Sequence, residues 1–310
     1  MSYIGLDIGG TNIKYGLIAD DGQIICKGTI PTLTSLDDCV DSILHICEGL
    51  LAENRDSIRG IGIGCPGIIN SSEGVVEYSC NLKWEDVPLA KIIEDKLGIP
   101  VRIGNDATVA TLGETLYGAG KGYKDAIMLT LGTGVGGGII IDKKMYDGNK
   151  GAGGELGHMV IRMDGKPCGC GMKGCLEAYA SAPTFLRAVR KAMREHPESR
   201  MWDVCAGDIK NVGIFTPFNC IDTDAYAKEI VDKYVKYLGT GIINYCNIFR
   251  PEIVMLGGGV SNVGEPLISR LVAYCESLDY GYKHSPKVVI KLAELKNDAG
   301  IVGGRALFGE

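Results

Sequence analysis

Apolar and polar positions in the first part of the chain alternate between strand and helix patterns. Short apolar runs predict strands at 4–8, 13–18, 24–30, 58–65 and 101–104. Apolar residues at helical spacing predict a helix over 36–52, and end signals predict helices over 88–97 and 105–117. This alternation indicates an α/β fold.

The second half of the chain repeats the opening of the first. Residues 4–18 (IGLDIGGTNIKYGLI) match residues 127–141 (IMLTLGTGVGGGIII) at a constant offset, since 127 − 4 and 141 − 18 both equal 123. Each segment reads as a strand, a Gly/Thr turn and a second strand, and such a turn can present backbone N–H groups to an anion. The repeat predicts two similar α/β domains that face each other across a cleft.

The rest of the second half follows the same alternation. Helices are predicted near 182–195, 222–249, 264–278 and 299–308, with strands at 252–256 and 287–291. The pattern of residues 196–221 predicts secondary structure least clearly. The glycine-rich stretch 118–122 predicts a hinge. We therefore expect a smaller N-terminal α/β domain of residues 1–117 plus about 299–310, and a larger C-terminal α/β domain of residues 118–298.

Length and charge narrow the class of protein. A chain of 310 residues is long enough for two domains with substantial cores. Its net charge of −6 and its lack of a basic run argue against nucleic acid as a partner. No apolar stretch reaches the roughly 18 residues of a membrane span, and no signal peptide is visible. We expect a cytoplasmic protein that binds neither nucleic acid nor membrane.

Three of the twelve cysteines cluster, whereas the others are scattered and are predicted to be small buried residues in a reducing compartment. Cys168, Cys170 and Cys175 lie close to His158 in a glycine-rich segment, 155–177. One imidazole and three thiols are typical of a structural Cys₃His Zn²⁺ site. A reactive or redox thiol cluster is the alternative interpretation.

Two glycine turns are candidates for binding phosphate. Asp7 suits a Mg²⁺ ion, and the turn Gly9-Gly10-Thr11 with Asn12 offers donors to phosphate oxygens. An ordinary hairpin turn would have the same sequence. The repeated turn Gly132-Thr133-Gly134 lacks the aspartate and therefore offers donors only.

A third glycine run and a set of polar side chains complete the candidate chemistry. Gly257-Gly258-Gly259 could lie flat against adenine or ribose, although a plain strand–helix turn is the alternative. Asn105-Asp106 stands between a strand and a helix, where a carboxylate can accept a proton from an attacking alcohol or merely cap the helix. Glu155, His158 and Glu177 could bind the hydroxyls of a sugar.

Together these segments resemble the ROK family (repressors, open reading frames, sugar kinases), and the resemblance runs essentially end to end. The matching motifs are DIGGT at 7–11, GCPG at 64–67, GND at 104–106, LGTGVGGG at 131–138, ELGH at 155–158, CGCGMKGCLE at 168–177 and LGGGV at 256–260. Within the family the chain looks most like the bacterial ROK glucokinases, notably in NLKW at 81–84 and NDAG at 297–300.

The resemblance implies a two-domain, actin-like ATPase fold of the ribonuclease H-like sugar kinase type, with an interdomain cleft. It implies transfer of the γ-phosphoryl group of ATP, with Mg²⁺, to a hexose hydroxyl, usually O6, and a homodimer. Asp106 would be the general base. The sugar would be held by Gly67, Asn105, Asp106, Glu155, His158 and Glu177. The nucleotide site would comprise Asp7, Gly9, Gly10, Thr11, Asn12, Gly132, Thr133, Gly134, Gly257 and Gly258. Zinc would be bound by His158, Cys168, Cys170 and Cys175.

Several alternatives stay open within this resemblance. Glucose is the expected substrate, but N-acetylmannosamine, N-acetylglucosamine, mannose, fructose and allose remain. A non-catalytic sugar sensor is a further alternative. ROK repressors carry a DNA-reading domain before the DIGGT motif, and that motif begins here at residue 7, so we expect no repressor activity. Cys65 and the segment 68–70 depart from the usual family pattern without removing a functional group.

Overall fold

A computed structural model describes residues 1–33, 35–278, 280 and 284–309. The strands are β1 (Ser2–Ile8), β2 (Asn12–Ala19), β3 (Ile24–Pro31), β4 (Ile58–Cys65), β5 (Ile68–Asn70), β6 (Val75–Ser79), β7 (Trp84–Val87), β8 (Val101–Asn105), β9 (Ala126–Leu131), β10 (Val135–Ile141), β11 (Lys144–Met145), β12 (Ile253–Gly257) and β13 (Val289–Leu292). The helices are α1 (Leu36–Asn54), α2 (Leu89–Leu97), α3 (Asp106–Tyr117), α4 (Glu177–Ala180), α5 (Ala182–Glu195), α6 (Met201–Val204), α7 (Phe215–Phe218), α8 (Ala225–Phe249), α9 (Glu265–Leu278) and α10 (Ala299–Ala306). Short 3₁₀ helices occur at Asn149–Gly151, Leu156–His158, Ile209–Asn211, Gly259–Val263 and Lys296–Asp298.

Two five-stranded sheets share one topology. Their strand orders are β3-β2-β1-β4-β8 and β11-β10-β9-β12-β13, and a third sheet contains β5-β6-β7. In the first sheet β1 pairs antiparallel with β2 and parallel with β4, which in turn pairs parallel with β8. The repeated sequence segments coincide with the hairpins β1–β2 and β9–β10. The prediction of two similar α/β modules is therefore confirmed at the level of topology.

The chain divides into two compact units. Unit 1 contains Met1–Ile127, Gly137–Gly154 and the chain from Ala293 onward, and unit 2 contains Met128–Gly136 and Glu155–Leu292. The chain passes into unit 2 within β9 and returns to unit 1 within β10, so these units do not follow the expected boundaries. The domains at 1–117 plus about 299–310 and at 118–298 stay a prediction, and residue 310 lies outside the described residues.

Unit 1 packs helices on both faces of its parallel strands. On one face, apolar side chains of β1 such as Ile4 and Leu6 are fully buried in a cluster with Ile43 of α1 and Ile93 of α2. On the other face, α10 lies so close that a Cβ on Gly5 would stand 1.9 Å from the carbonyl oxygen of Ile301. Glycine is therefore required there, because only a residue without a side chain admits the helix backbone.

Unit 2 is organised around its longest helix, α8. Asp224 caps the helix, since its side chain accepts hydrogen bonds from the backbone N–H groups of Tyr226 and Ala227. Two buried tyrosines of α8 bind backbone carbonyls: the hydroxyl of Tyr234 donates to Ala180 of α4 at 3.0 Å, and that of Tyr245 donates to Leu156. These bonds attach the segments that carry Glu177 and His158 to the core of the unit.

Every helix in the described part of the chain is either too short or too polar for a bilayer crossing.

Candidate active site

Tight turns shape the segment 155–177 around its cysteines. The N–H of Cys168 donates to the carbonyl of Met172 at 2.9 Å, and an isolated bridge pairs Val160 with Cys175. Gly174 has φ +83°, and a Cβ there would stand 1.8 Å from the carbonyl oxygen of Arg162. The segment therefore depends on glycine at position 174, both for its backbone conformation and for the close approach.

The structure brings the four predicted zinc ligands together. The ligand atoms of His158, Cys168, Cys170 and Cys175 all lie within 4.8 Å of one another. Cys170 Sγ and Cys175 Sγ are 3.6 Å apart, and Cys168 Sγ is 3.7 Å from His158 Nδ1. Zn–S and Zn–N bonds of about 2.3 Å and 2.0 Å in a tetrahedron place such atoms roughly 3.5–3.8 Å apart. The four residues therefore fit a Zn²⁺ ion.

The pKa values of the three thiols diverge because their surroundings differ. Burial raises the pKa of Cys175 to about 12, and it also raises the pKa of Cys168. Hydrogen bonding to the backbone N–H of Met172 lowers the pKa of the exposed Cys170. A Zn²⁺ ion deprotonates the thiols that bind it, and its charge would offset the cost of placing the Cys175 thiolate in a buried position.

Glu177 connects the cysteine cluster to the second glycine turn. Its Oε2 accepts a hydrogen bond from the backbone N–H of Val135 at 2.9 Å, and its Oε1 accepts one from Cys168 Sγ at 3.5 Å. Gly134 is close by, since a Cβ there would stand 2.4 Å from Glu177 Oε2. The carboxylate is thus held in a fixed position by the backbone N–H of the turn, and it lies next to Cys168 of the cluster.

His158 and Glu155 share one short 3₁₀ helix beside the cluster. The carbonyl of Glu155 accepts from the N–H of His158 at 3.0 Å, and Glu155 is exposed at the start of the helix. His158 turns Nδ1 toward Cys168, which leaves Nε2 for a second partner. Unit 2 therefore carries the carboxylates of Glu155 and Glu177 and the imidazole of His158, and their binding of a sugar stays a prediction.

The third glycine run approaches the second turn. Gly258 has φ +82°, and a Cβ there would stand 2.5 Å from the carbonyl oxygen of Leu131, at the end of β9. Gly257 ends β12, and the following residues form the 3₁₀ helix Gly259–Val263 before α9 begins. Unit 2 thus groups Gly132, Thr133, Gly134, Gly257 and Gly258 at the ends of two strands.

In unit 1, the predicted residues lie at or just after the carboxyl ends of three parallel strands. The register pairs Asp7 of β1 with Gly64 of β4, and Gly64 with Gly104 of β8. Gly67 follows β4, and Asp106 follows β8. Ligands of parallel α/β sheets bind at this edge. Unit 1 therefore collects Asp7, Gly67, Asn105 and Asp106 where the topology expects a site.

Asn105 and Asp106 form the junction of β8 and α3. Asn105 caps the helix, because its Oδ1 accepts from the N–H groups of Ala107 at 3.0 Å and Thr108 at 3.1 Å. Asp106 is half-buried, and its Oδ1 accepts from the N–H of Ala107 at 2.8 Å. The N-terminus of α3 stabilises a negative charge at this position. Burial raises the pKa of Cys65, and the negative charge of Asp106 raises it further.

The first glycine turn also has fixed geometry. The N–H of Gly9 donates to the carbonyl of Asn12 at 2.9 Å, and the hydroxyl of Thr32 donates to the carbonyl of Gly9 at 2.7 Å. Gly10 and Thr11 are exposed at the tip. The turn therefore presents Gly9, Gly10, Thr11 and Asn12 on one side of Asp7.

Sequence reasoning missed one charged residue at this turn. Lys14 Nζ lies 3.3 Å from Asp7 Oδ2, because β1 and β2 pair Asp7 directly with Lys14. The symmetric spacing of the two residues about the turn is the signal that could have identified the pair. Lys14 therefore places a positive charge beside Asp7 at the candidate anion-binding turn of unit 1.

Comparison with known proteins shows similarity along nearly the whole chain. The ROK family model matches residues 3–310. The glucokinase of Halalkalibacterium halodurans is 38% identical to the chain, covering 97% of the chain and 93% of that protein. The glucokinase of Thermotoga maritima is 35% identical, covering 100% and 98%.

A solved structure extends the comparison to the fold. The ROK family glucokinase from Streptomyces griseus, in complex with glucose and AMPPNP, superposes with a TM-score of 0.80 at 31% identity and covers 99% of both chains. The prediction of an α/β protein with the actin-like ATPase fold of sugar kinases is confirmed. The chain belongs to the ROK family.

Proposed function

We propose that the protein is an ATP-dependent hexose kinase that phosphorylates glucose at its 6-hydroxyl group. Glucokinases at 38% and 35% identity over nearly the whole chain support this activity. The position of Glu177 is the observation that carries the proposal. One carboxylate contacts the candidate metal cluster through Cys168 and the candidate phosphate turn through Val135. A sugar-binding residue fixed in this way is also fixed relative to the donor phosphates.

Unit 1 supplies the proton acceptor in this proposal. Asp106 removes the proton from the attacking sugar hydroxyl as the phosphoryl group is transferred. The N-terminus of α3 favours a negative charge at this position, and the cap formed by Asn105 fixes the start of that helix. Asn105 and Gly67 then contribute hydrogen-bonding groups to the sugar beside the base.

Unit 2 supplies the sugar-reading groups. Glu155 and Glu177 accept hydrogen bonds from sugar hydroxyls, and His158 binds a hydroxyl through Nε2. Substrate choice depends on the directions in which these groups point, because a site built to bind one hydroxyl leaves a polar group unpaired when that hydroxyl is missing or reversed. We favour glucose because the Streptomyces griseus relative forms a complex with glucose.

Two metal ions belong to the proposal. Mg²⁺, when bound with ATP, neutralises negative charge on the transferred phosphate, and Asp7 would hold it. Gly10, Thr11, Asn12 and Thr133 would donate hydrogen bonds to the phosphate oxygens. Zn²⁺, when bound by His158 and the three clustered cysteines, would supply rigidity rather than chemistry, since all four ligands come from the protein.

The test is a panel of hexoses and N-acetylhexosamines with Mg²⁺ and ATP, measured as kcat/KM for each sugar. We expect glucose to give the highest value. A higher value for N-acetylmannosamine or another sugar would replace glucose but retain the kinase. Sugar binding without turnover on any member of the panel would instead identify a sugar sensor and end the proposal.

A cytoplasmic location and a homodimer complete the proposal. The location is supported by the twelve cysteines, which lie in the described part of the chain and form no disulfide among themselves. Light scattering of the purified protein at several concentrations would test the homodimer, which predicts twice the mass of one chain.

A further inference from the structure

Two of the clustered cysteines, Cys170 and Cys175, are close together but differ strongly in their surroundings. Cys170 is exposed to solvent, whereas Cys175 is fully buried. Their Sγ atoms are 3.6 Å apart. The sulfur atoms of a disulfide bond are about 2.05 Å apart, so a small shift of one residue would bring the two sulfurs to bonding distance.

The backbone at Cys170 is free to make this shift. Cys170 lies between Gly169 and Gly171, and a Cβ on either glycine would meet no atom within 4 Å. Within the residues that the structure describes, neither the N–H nor the carbonyl of Cys170 takes part in a backbone hydrogen bond. Glycine also has more conformational freedom than any other residue. Cys170 can therefore approach Cys175 without displacing a neighbouring segment.

The backbone at Cys175, by contrast, is held in place. Cys175 forms an isolated bridge with Val160. Its carbonyl accepts a hydrogen bond from the N–H of Ala178 at 3.1 Å, and the N–H of the next residue, Leu176, donates to the carbonyl of Met159 at 2.9 Å. Cys175 is therefore the stationary partner of the pair.

The third thiol, Cys168, has partners of a different kind. All the ligand atoms of the cluster lie within 4.8 Å of one another, so proximity alone does not exclude Cys168 from a disulfide bond. However, its Sγ lies 3.7 Å from His158 Nδ1 and 3.5 Å from Glu177 Oε1. Its backbone N–H also donates to the carbonyl of Met172 at 2.9 Å. These contacts favour Cys170 and Cys175 as the pair that reacts.

We propose that Cys170 is a site of oxidation by hydrogen peroxide, and that Cys175 then forms a disulfide bond with it. The thiolate of Cys170 attacks one oxygen of the peroxide, the O–O bond breaks, and Cys170 becomes a sulfenic acid as hydroxide leaves. The thiolate of Cys175 then attacks the sulfenic sulfur, so that the S–S bond forms, the S–O bond breaks and a second hydroxide leaves. The two thiolates lose two electrons in total, and the peroxide gains them.

The disulfide bond would remove two of the four candidate zinc ligands. Only His158 and Cys168 would then remain, and two ligands do not complete the tetrahedral set that a structural zinc site requires. A dithiol reductant would restore both thiols by exchange. The zinc site and the redox-active thiol cluster, the two interpretations of this segment from its sequence, would thus be the reduced and the oxidised form of one site.

The test uses the full-length protein loaded with zinc and treated with an equimolar amount of hydrogen peroxide. Zinc release is followed with a chromophoric chelator, and disulfide bonds are mapped by tryptic digestion without reduction. Trypsin cleaves after Lys173, which lies between Cys170 and Cys175, so their disulfide bond joins two peptides that are otherwise separate. Fragmentation of the joined peptides distinguishes Cys170 from Cys168, because Gly169 lies between them.

We expect a mass loss of two hydrogen atoms, a disulfide bond between Cys170 and Cys175, and loss of the bound zinc in step with that bond. Dithiothreitol with added zinc should reverse all three changes. The internal controls are Cys26 and Cys80, two exposed cysteines of unit 1, which should stay open to alkylation by iodoacetamide. Cys168→Ser keeps the reacting pair and should still form the disulfide bond.

Three results would overturn the inference. The first is zinc release without a disulfide bond, and the second is a disulfide bond that contains Cys168. The third is oxidation of Cys26 or Cys80 while the cluster keeps its zinc and its free thiols. All measurements are made without sugar or ATP, so their outcome does not depend on the kinase assignment.

Discussion

Asn105 Nδ2 donates a hydrogen bond to the carbonyl oxygen of Gly67 at 3.1 Å. Meanwhile Asn105 Oδ1 accepts from the first amides of α3, so one side chain ties the end of β4 to the start of the helix that carries Asp106. Gly67 itself has φ +122°, and a Cβ there would stand 2.2 Å from the carbonyl oxygen of Tyr78. The position of the proposed base thus depends on contacts that reach beyond its own strand and helix.

Two substitutions of Asn105 separate these two tasks. Asn105→Ala removes both, and we expect the free energy of unfolding to fall by about 1 kcal/mol, the usual cost of losing an N-cap, together with a higher KM for sugar. Asn105→Asp keeps an oxygen for the helix amides but loses the donor to Gly67. It should therefore retain most of the stability and still show the higher KM. Urea unfolding and steady-state kinetics measure the two effects, and equal stability loss in both variants would contradict the division.

Removal of the proposed base should abolish most of the turnover. We expect Asp106→Ala to lose at least about two orders of magnitude in kcat, the typical contribution of a general base, while the affinity for sugar falls less. Asp95→Ala is the control, because Asp95 is an exposed residue of α2 that forms a surface ion pair with Lys91. Full activity of Asp106→Ala would end the assignment of this residue.

Zinc removal tests whether the cysteine cluster holds the sugar-binding groups. We expect about one zinc ion per chain in the purified protein, and a higher KM for sugar after chelation, since His158 and Glu177 lose their fixed positions. Cys170→Ser should reproduce the effect. Cys26→Ser should not, because Cys26 is another exposed cysteine that lies in β3 of unit 1. Metal analysis and kinetics provide the measurements, and a metal-free protein with unchanged KM would show that the cluster has another role.

The sequence revealed the parts of the site that are local along the chain. The turn at 9–12, the helix start at Asn105 and the cysteine cluster each occupy a short segment, and their residue types restrict what that segment can do. The repeat of the β1–β2 hairpin likewise predicted the shared topology of the two large sheets. Patterns of this kind are visible because strand period, capping and ligand spacing act over a few residues.

Contacts between distant segments were not predictable in the same way. Glu114 is fully buried, and its carboxylate accepts hydrogen bonds from the backbone N–H groups of Ala119, Glu294 and Leu295. No feature of the sequence around Glu114 indicates that two of these partners, Glu294 and Leu295, lie 180 and 181 residues further along the chain. The same holds for the bond from Asn105 to Gly67. The third sheet, β5-β6-β7, and the short helices in the segment 196–221 also escaped prediction, because elements of three to five residues carry too little periodicity.

Two glycines of the cysteine segment should respond differently to the same substitution. Gly174→Ala forces a Cβ into the left-handed region and against the carbonyl of Arg162, so we expect a clear fall in Tm and loss of zinc. Gly169→Ala is the matched control in the same segment, because a Cβ at Gly169 meets no atom within 4 Å and its φ is not positive. Thermal unfolding and metal analysis measure both variants. Equal Tm values would mean that the segment adjusts freely around position 174.

Buried Cys47 predicts a loss of stability at alkaline pH. Burial and, to a smaller extent, the negative charge of Glu48 raise the pKa of the Cys47 thiol from 9.0 to about 12 in the folded protein. Between these two values the unfolded chain has lost the proton and the folded protein retains it. The free energy of unfolding contributed by this group is therefore complete below pH 9 and falls as the pH rises toward 12, by about 1.4 kcal/mol per pH unit. Cys47→Ala removes this group. The free energy of unfolding of this variant, measured with urea between pH 9 and pH 10.5, should therefore fall less steeply, by about 1.4 kcal/mol per pH unit. Parallel pH profiles of the two proteins would contradict the assignment, because titration of every other group is common to both.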